Sequence, residues 1–174
     1  NQAVEIAPNY AAAWNRLGTM AYLEGDYSRA YEYFQKALES DPSAYAPLVN
    51  LGAVYLSLGN TDEALRTNEE AVQTRPEDPL ARSQFGQTLF VLNRFEQAEK
   101  QLRMAVSLDP GHFSFPQLVL AEIYRRQERW GELVTVLESF LEHHPDVSNR
   151  SHLEQVLKLA RERTEGAAPP DPAP

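Results

Sequence analysis

Apolar residues return along this chain at helical spacing, in paired stripes separated by short polar breaks. Trp14, Leu17, Gly18 and Ala21 fall at i, i+3, i+4 and i+7, one face of a helix. A break at Gly25-Asp26 follows. Tyr27, Ala30, Phe34, Ala37 and Leu38 then make a second stripe, closed by Pro42, since proline cannot continue a helix. The pattern predicts two helices joined by a tight turn, and it repeats. Proline stands at Pro8, Pro42, Pro76, Pro110 and Pro145, in steps of 34, 34, 34 and 35. Gly18, Gly52, Gly86 and Ala121 keep the same step, as do Ala30, Ala64, Ala98 and Leu133, and Ala37, Ala71, Ala105 and Phe140. Several rows on one period mark a repeat array. The extra residue fits near Gly111–Phe113, in a loop, where an insertion costs little.

The small residues have a physical use. Gly18 on one helix and Ala30 and Ala37 on the next let two backbones approach, and Trp14, Leu17 and Phe34 fill the space around that contact. The later turns carry Gly59-Asn60 and Asn93. Asn93 is expected to adopt the left-handed conformation that glycine accepts without strain. Asn60 with Glu63 has capping-box spacing.

In the segment 11–44, "AAAWNRLGTMAYLEGDYSRAYEYFQKALESDPSA", Trp, Leu-Gly, Gly-Asp-Tyr, Ala, Phe, Ala and Pro stand in the register of a tetratricopeptide repeat, and the chain resembles that family. The resemblance covers units 11–44, 45–78, 79–112 and, more loosely, 114–147, a four-repeat region over 11–147. The second unit has Asn68 where an aromatic is usual, and the fourth has Leu133 and Phe140 at the two small positions and Glu128-Arg129 at the turn. The resemblance implies an all-α fold, a right-handed superhelical α-solenoid of antiparallel helix pairs. It also implies that the first helix of each pair lines the concave face.

The ends read differently. Residues 1–10 align with the close of a repeat, Ala3 over Ala37 and Pro8 over Pro42, so we expect the end of an incomplete preceding repeat and a fragment of a longer protein; a short helical N-cap is the alternative. Leu153, Val156, Leu157 and Ala160 form one more stripe, expected to be a capping helix over 148–164, with Ser151 and Glu154 at capping-box spacing and Gly166 as a stop. Residues 165–174 are a Pro-rich tail.

Composition narrows the function. The chain has 174 residues, 43% hydrophobic and 24% charged, a globular balance. It contains no apolar run long enough to span a bilayer, so a soluble protein is expected, cytoplasmic or exported. Its formal charge of −9 disfavours nucleic acid. The absence of cysteine removes disulfides and thiolate chemistry. His143 and His144 are adjacent and do not face each other on a helix. Carboxylate pairs such as Glu69-Glu70 read as solvated surface, and there is no phosphate loop or nucleophile elbow. No catalytic, cofactor-binding or metal site is expected. Asn149-Arg150-Ser151 is a glycosylation sequon, of consequence only in a secreted protein.

The four first helices together carry Arg16, Arg82, Arg125 and Arg126 against Glu24 and Glu122, a net of +2 in a chain of −9. Segment 45–58 has no charge at all. Residues not needed for repeat packing form a strip of mixed apolar and amide character: Asn15, Thr19 and Tyr22; Val49, Asn50, Ala53 and Leu56; Ser83, Gln84, Gln87 and Phe90; and Leu118, Glu122 and Arg125. This strip is expected to bind an extended or helical segment of another protein. Amides offer both donor and acceptor to a ligand backbone. The positions matching the family's carboxylate clamp hold Asn15, Thr19, Asn50, Leu80 and Gln84, and only Asn50 agrees, so an acidic C-terminal tail is not the expected ligand. Two other roles stay open: a regulatory or substrate-presenting segment of a larger enzyme, and self-assembly, a homo-oligomer formed through the N-terminal half repeat.

Overall fold

The computed structural model describes residues 10–166. The half repeat expected around Ala3 and Pro8, with the self-association assigned to it, and the Pro-rich segment after Gly166 lie outside the described residues. Within them the chain is helical, without strands: α1 Ala11–Leu23, α2 Tyr27–Ser40, α3 Tyr45–Ser57, α4 Thr61–Thr74, α5 Pro79–Val91, α6 Phe95–Leu108, α7 Pro116–Arg126, α8 Trp130–His143 and α9 Arg150–Gly166.

The turns within the pairs share one backbone solution. Gly25 and Gly59 lie at φ +79°, and Asn93 and Glu128 at φ +57°. The left-handed residue lets the chain reverse within three residues. Asp26 caps α2 by accepting from Arg29 N at 3.1 Å, and Asp78 caps α5 by accepting from Ala81 N at 3.0 Å. The two capping boxes do not form. The Asn60 side chain makes no cap bond at α4. At α9, Ser151 lies inside the helix and Glu154 accepts from Arg150 Nε at 2.9 Å, so an i,i+4 ion pair has taken the carboxylate.

Close approach explains the small rows. A Cβ on Gly18 would stand 2.5 Å from the Phe34 ring, so α1 and α2 meet at bare backbone. Ala30, Ala37, Ala64, Ala71, Ala98 and Ala105 are fully buried at the matching positions. The fourth unit reaches the same end with larger groups, since Leu133, Leu137 and Phe140 are all buried beside Ala121. Asn68 is the exception in kind. It is fully buried, donates from Nδ2 to Thr88 Oγ1 at 2.9 Å, and leaves Oδ1 against Gly52 without a partner among the described residues.

Each helix packs on the next along the chain. In addition α1 touches α3, α3 touches α5, and α5 touches α7, while α2, α4, α6 and α8 do not touch one another. A row of helices in mutual contact is shorter than a row of separated ones. The stack therefore bends toward α1, α3, α5 and α7, and these helices line its inner side. At the far end α9 covers α8 with Leu153, Leu157 and Ala160 and exposes Lys158, Arg161, Glu162 and Arg163. That arrangement closes an open core with a solvated face.

The inserted residue is absorbed before α7. Phe115 is its N-cap at φ +50°, ψ +53°, an uncommon place for an aromatic residue. The loop is tied down on both sides: Ser114 N donates to His112 Nδ1 at 3.2 Å, Gln117 Nε2 donates to Pro110 O at 2.5 Å, and the Phe115 ring meets Phe140 and His144 edge-on.

Candidate functional site

The inner side can be built up from positions one repeat apart. Asn15, Val49, Ser83 and Leu118 form the deeper row, and Tyr22, Leu56, Phe90 and Arg125 the outer one. Depth decides their availability. Val49 is only 2% exposed and packs with Ala71, Val72 and Ala81, and Ser83 is 3% exposed. Both leave the candidate strip: their repeat position faces the neighbouring helices, and a short side chain there is covered by them. Asn15 shares that position but is half-buried. Leu118 is also half-buried, packed against the core.

At the α1–α3 boundary Asn50 Nδ2 donates to Asn15 Oδ1 at 3.0 Å, and the Tyr22 hydroxyl lies 3.3 Å from Ser57 Oγ. The Asn pair spends one donor and one acceptor on itself. Asn15 Nδ2 and Asn50 Oδ1 remain without protein partners among the described residues. Thr19 and Ser57 bond to carbonyls of their own helices, those of Asn15 and Ala53. Ala53 and Leu56 are half-buried and no charge lies on α3, so the middle of the strip is apolar.

On α5, Gln87 is exposed, whereas Gln84 is half-buried with Oε1 lacking a partner among the described residues. Phe90 is half-buried, its ring 5.8 Å from Phe95. Over the Phe90 face, 4.8 Å from its centroid, stands the Arg126 guanidinium. Glu122 draws Arg125 and Arg126 together: Arg125 donates from Nε and Nη2 at 2.8 Å each, and Arg126 from Nε at 2.7 Å. The Arg125 bonds, joined by those of Arg126, outweigh partial burial and hold the Glu122 carboxyl down at about 2.

Two corrections to the charge follow. Arg82 does not serve this face; it is buried, donating to Pro76 O at 2.8 Å and to Gln101 Oε1 at 2.5 Å. Arg126 does belong beside the strip, and its i+4 spacing from Glu122 was the signal in the sequence. With Arg82 buried, Arg16, Arg125 and Arg126 are the first-helix arginines left to balance Glu122 and Glu24, the residue that follows α1.

A different device holds the third and fourth units together. Glu99 on α6 accepts from Arg129 Nη1 at 2.6 Å and Nη2 at 3.1 Å and from the Tyr124 hydroxyl at 3.0 Å. The Arg129 bonds lower the Glu99 carboxyl below its usual range. Burial, with Glu99 beside it, pushes the Tyr124 hydroxyl up to about 12. Among the described residues no three His, Asp or Glu side chains converge as metal ligands, and no helix is long and apolar enough to cross a membrane.

Comparison with known proteins agrees with this architecture. Tetratricopeptide repeat models match residues 21–80 and 118–151. Anaphase-promoting complex subunit 7 of Arabidopsis thaliana is 34% identical over 121 residues, 69% of this chain and 21% of that protein. The protein O-mannosyl-transferase TMTC1 of Homo sapiens is 30% identical over 129 residues, 74% of this chain and 14% of that protein. The chain thus spans about a fifth or less of the length of these relatives. The crystal structure of YrrB, a TPR protein with an unusual peptide-binding site, superposes with a TM-score of 0.66 at 25% identity, covering 88% of this chain and 78% of that one. With two family models matching along the stack and a solved relative of the same fold, this chain belongs to the tetratricopeptide repeat family.

Proposed function

We propose that the chain is a protein-interaction scaffold that holds a peptide segment of another protein along the inner side of its first helices, with no catalysis of its own. The observation that carries this reading is the Asn15–Asn50 pair. Asn15 Nδ2 and Asn50 Oδ1, unpartnered among the described residues, add a donor and an acceptor at this boundary, the groups a peptide unit needs. Beside it Leu56 and Phe90 supply apolar area, and the likeness to YrrB, a protein with a peptide-binding site, supports the same use. The strip now comprises Asn15, Thr19, Tyr22, Asn50, Ala53, Leu56, Gln84, Gln87, Phe90, Leu118, Glu122 and Arg125. The test is a displayed peptide library selected on the full chain, with each selected peptide titrated against an Asn50→Ala, Leu56→Glu variant of unchanged helicity. At least a tenfold loss of affinity is expected, and undiminished binding would remove the strip from the account.

A second reading draws on the similarity to TMTC1, an O-mannosyl-transferase: the array as the substrate-presenting or regulatory part of a larger enzyme. The complete gene decides it, since this role needs a catalytic motif elsewhere in the same protein.

A further inference from the structure

The Arg126 guanidinium is fixed on three sides. Its Nε donates to Glu122, its plane lies over Phe90, and its stem rises from the last turn of α7. Nη1 and Nη2 have no partner among the described residues, and the side chain is 46% exposed. Glu122, the carboxylate that Arg126 does reach, is shared, since it also receives two bonds from Arg125. Two cations around one anion leave an excess positive charge at the α7 end of the strip, while the chain as a whole carries −9. A planar fork held still by a ring and a carboxylate is matched to a second carboxylate, and little side-chain freedom is left to lose on binding.

Resting on the scaffold reading, we infer that the bound peptide carries an internal Asp or Glu side chain that pairs with the outer edge of Arg126, two or three residues from an apolar side chain seated by Leu56 and Phe90. The spacing follows from geometry. Packed helices lie about 8–10 Å apart, and an extended chain rises roughly 3.3 Å per residue. One step between first helices therefore spans about three ligand residues. The carboxylate recognised is a side chain within the peptide, not its terminus.

The probes are two sets of acetylated, amidated dodecapeptides, one with Leu-x-x-Glu at the centre and the other with Leu-x-x-Gln, titrated against the full chain at low salt. The Glu set should bind at least tenfold more tightly. In Arg126→Gln it should fall to the level of the Gln set, whose own affinity is unchanged. Raising the salt to about 0.5 M should erase the difference in the unmodified chain, which tests the charge pairing without any substitution. Equal binding of the two sets, or a preference that survives both Arg126→Gln and salt, overturns the inference and leaves the scaffold reading standing. Failure of both sets to bind the unmodified chain refutes the two together.

Discussion

Residues placed against their own preference show where this chain gives up stability. Glu128 occupies the turn position that Gly25 and Gly59 hold in the first two units, at φ +57° with a Cβ. A left-handed L-residue costs roughly 1–2 kcal/mol, part of which glycine regains. Glu128→Gly should therefore stabilise the fourth unit by about 1 kcal/mol, read as a higher denaturant midpoint, and a lower midpoint would refute the strain. Asn68 buries an acceptor with no partner where the third unit places Leu102 against Gly86. Asn68→Leu removes that acceptor, and Thr88 keeps its bond to Gln84 O at 3.0 Å. We expect a gain of about 1–2 kcal/mol, measured by chemical denaturation. His144 makes a case in pH. Burial among Phe115 and Phe140, with His143 adjacent, lowers its proton affinity below the ordinary 6.5. The unfolded chain then binds the proton more readily than the folded one, so this contribution to stability is complete above about pH 6.5 and is lost as the pH falls below it. A His144→Phe variant should lose less stability between pH 7.5 and 5 than the unmodified chain; identical slopes would exclude His144 as the titrating group.

At the scale of elements, the pairing of helices was legible because it rests on spacing within the chain. The turn at Asn93 was readable for the same reason, since few residues other than glycine accept a left-handed backbone. Capping was less legible. Asn60 and Ser151 have the right spacing, but a cap depends on side-chain geometry, and at α9 Arg150 competes for Glu154. The Glu99–Arg129 clasp was invisible for a stronger reason: its members are 30 residues apart and meet only when α6 stands beside the turn before α8. Arg129→Ala should leave Glu99 and Tyr124 without their cation. We expect a cost of about 1–2 kcal/mol, reduced from the fully buried case because a third of Arg129 is exposed. Native-state hydrogen exchange should show faster opening in α7–α9 than in α1–α4, and uniform acceleration would argue against a local clasp.

For the whole molecule, the arrangement of contacts sets the behaviour. Helices touch only neighbours in the stack, so stability is nearly one-dimensional and a lesion should loosen its own unit first. The buried polar pair Asn68–Thr88 lies at the junction of the second and third units. The same contacts bend the row of first helices inward, which turns a line of unrelated surface residues into one strip.

The period of 34, the two helices per unit, the small residues at their crossing and the low charge of the first helices were all determined by the sequence, because each depends on residues within one turn or one repeat of each other. Tertiary structure alone decided which side chains of the strip are reachable. Val49 and Ser83 share a repeat position with Asn15 yet lie under their neighbours, Arg82 is drawn into a buried bond network, and Arg126 is carried onto Phe90. Exposure on a curved stack depends on the next helix, and a one-dimensional pattern gives the direction of a side chain but not what stands in front of it.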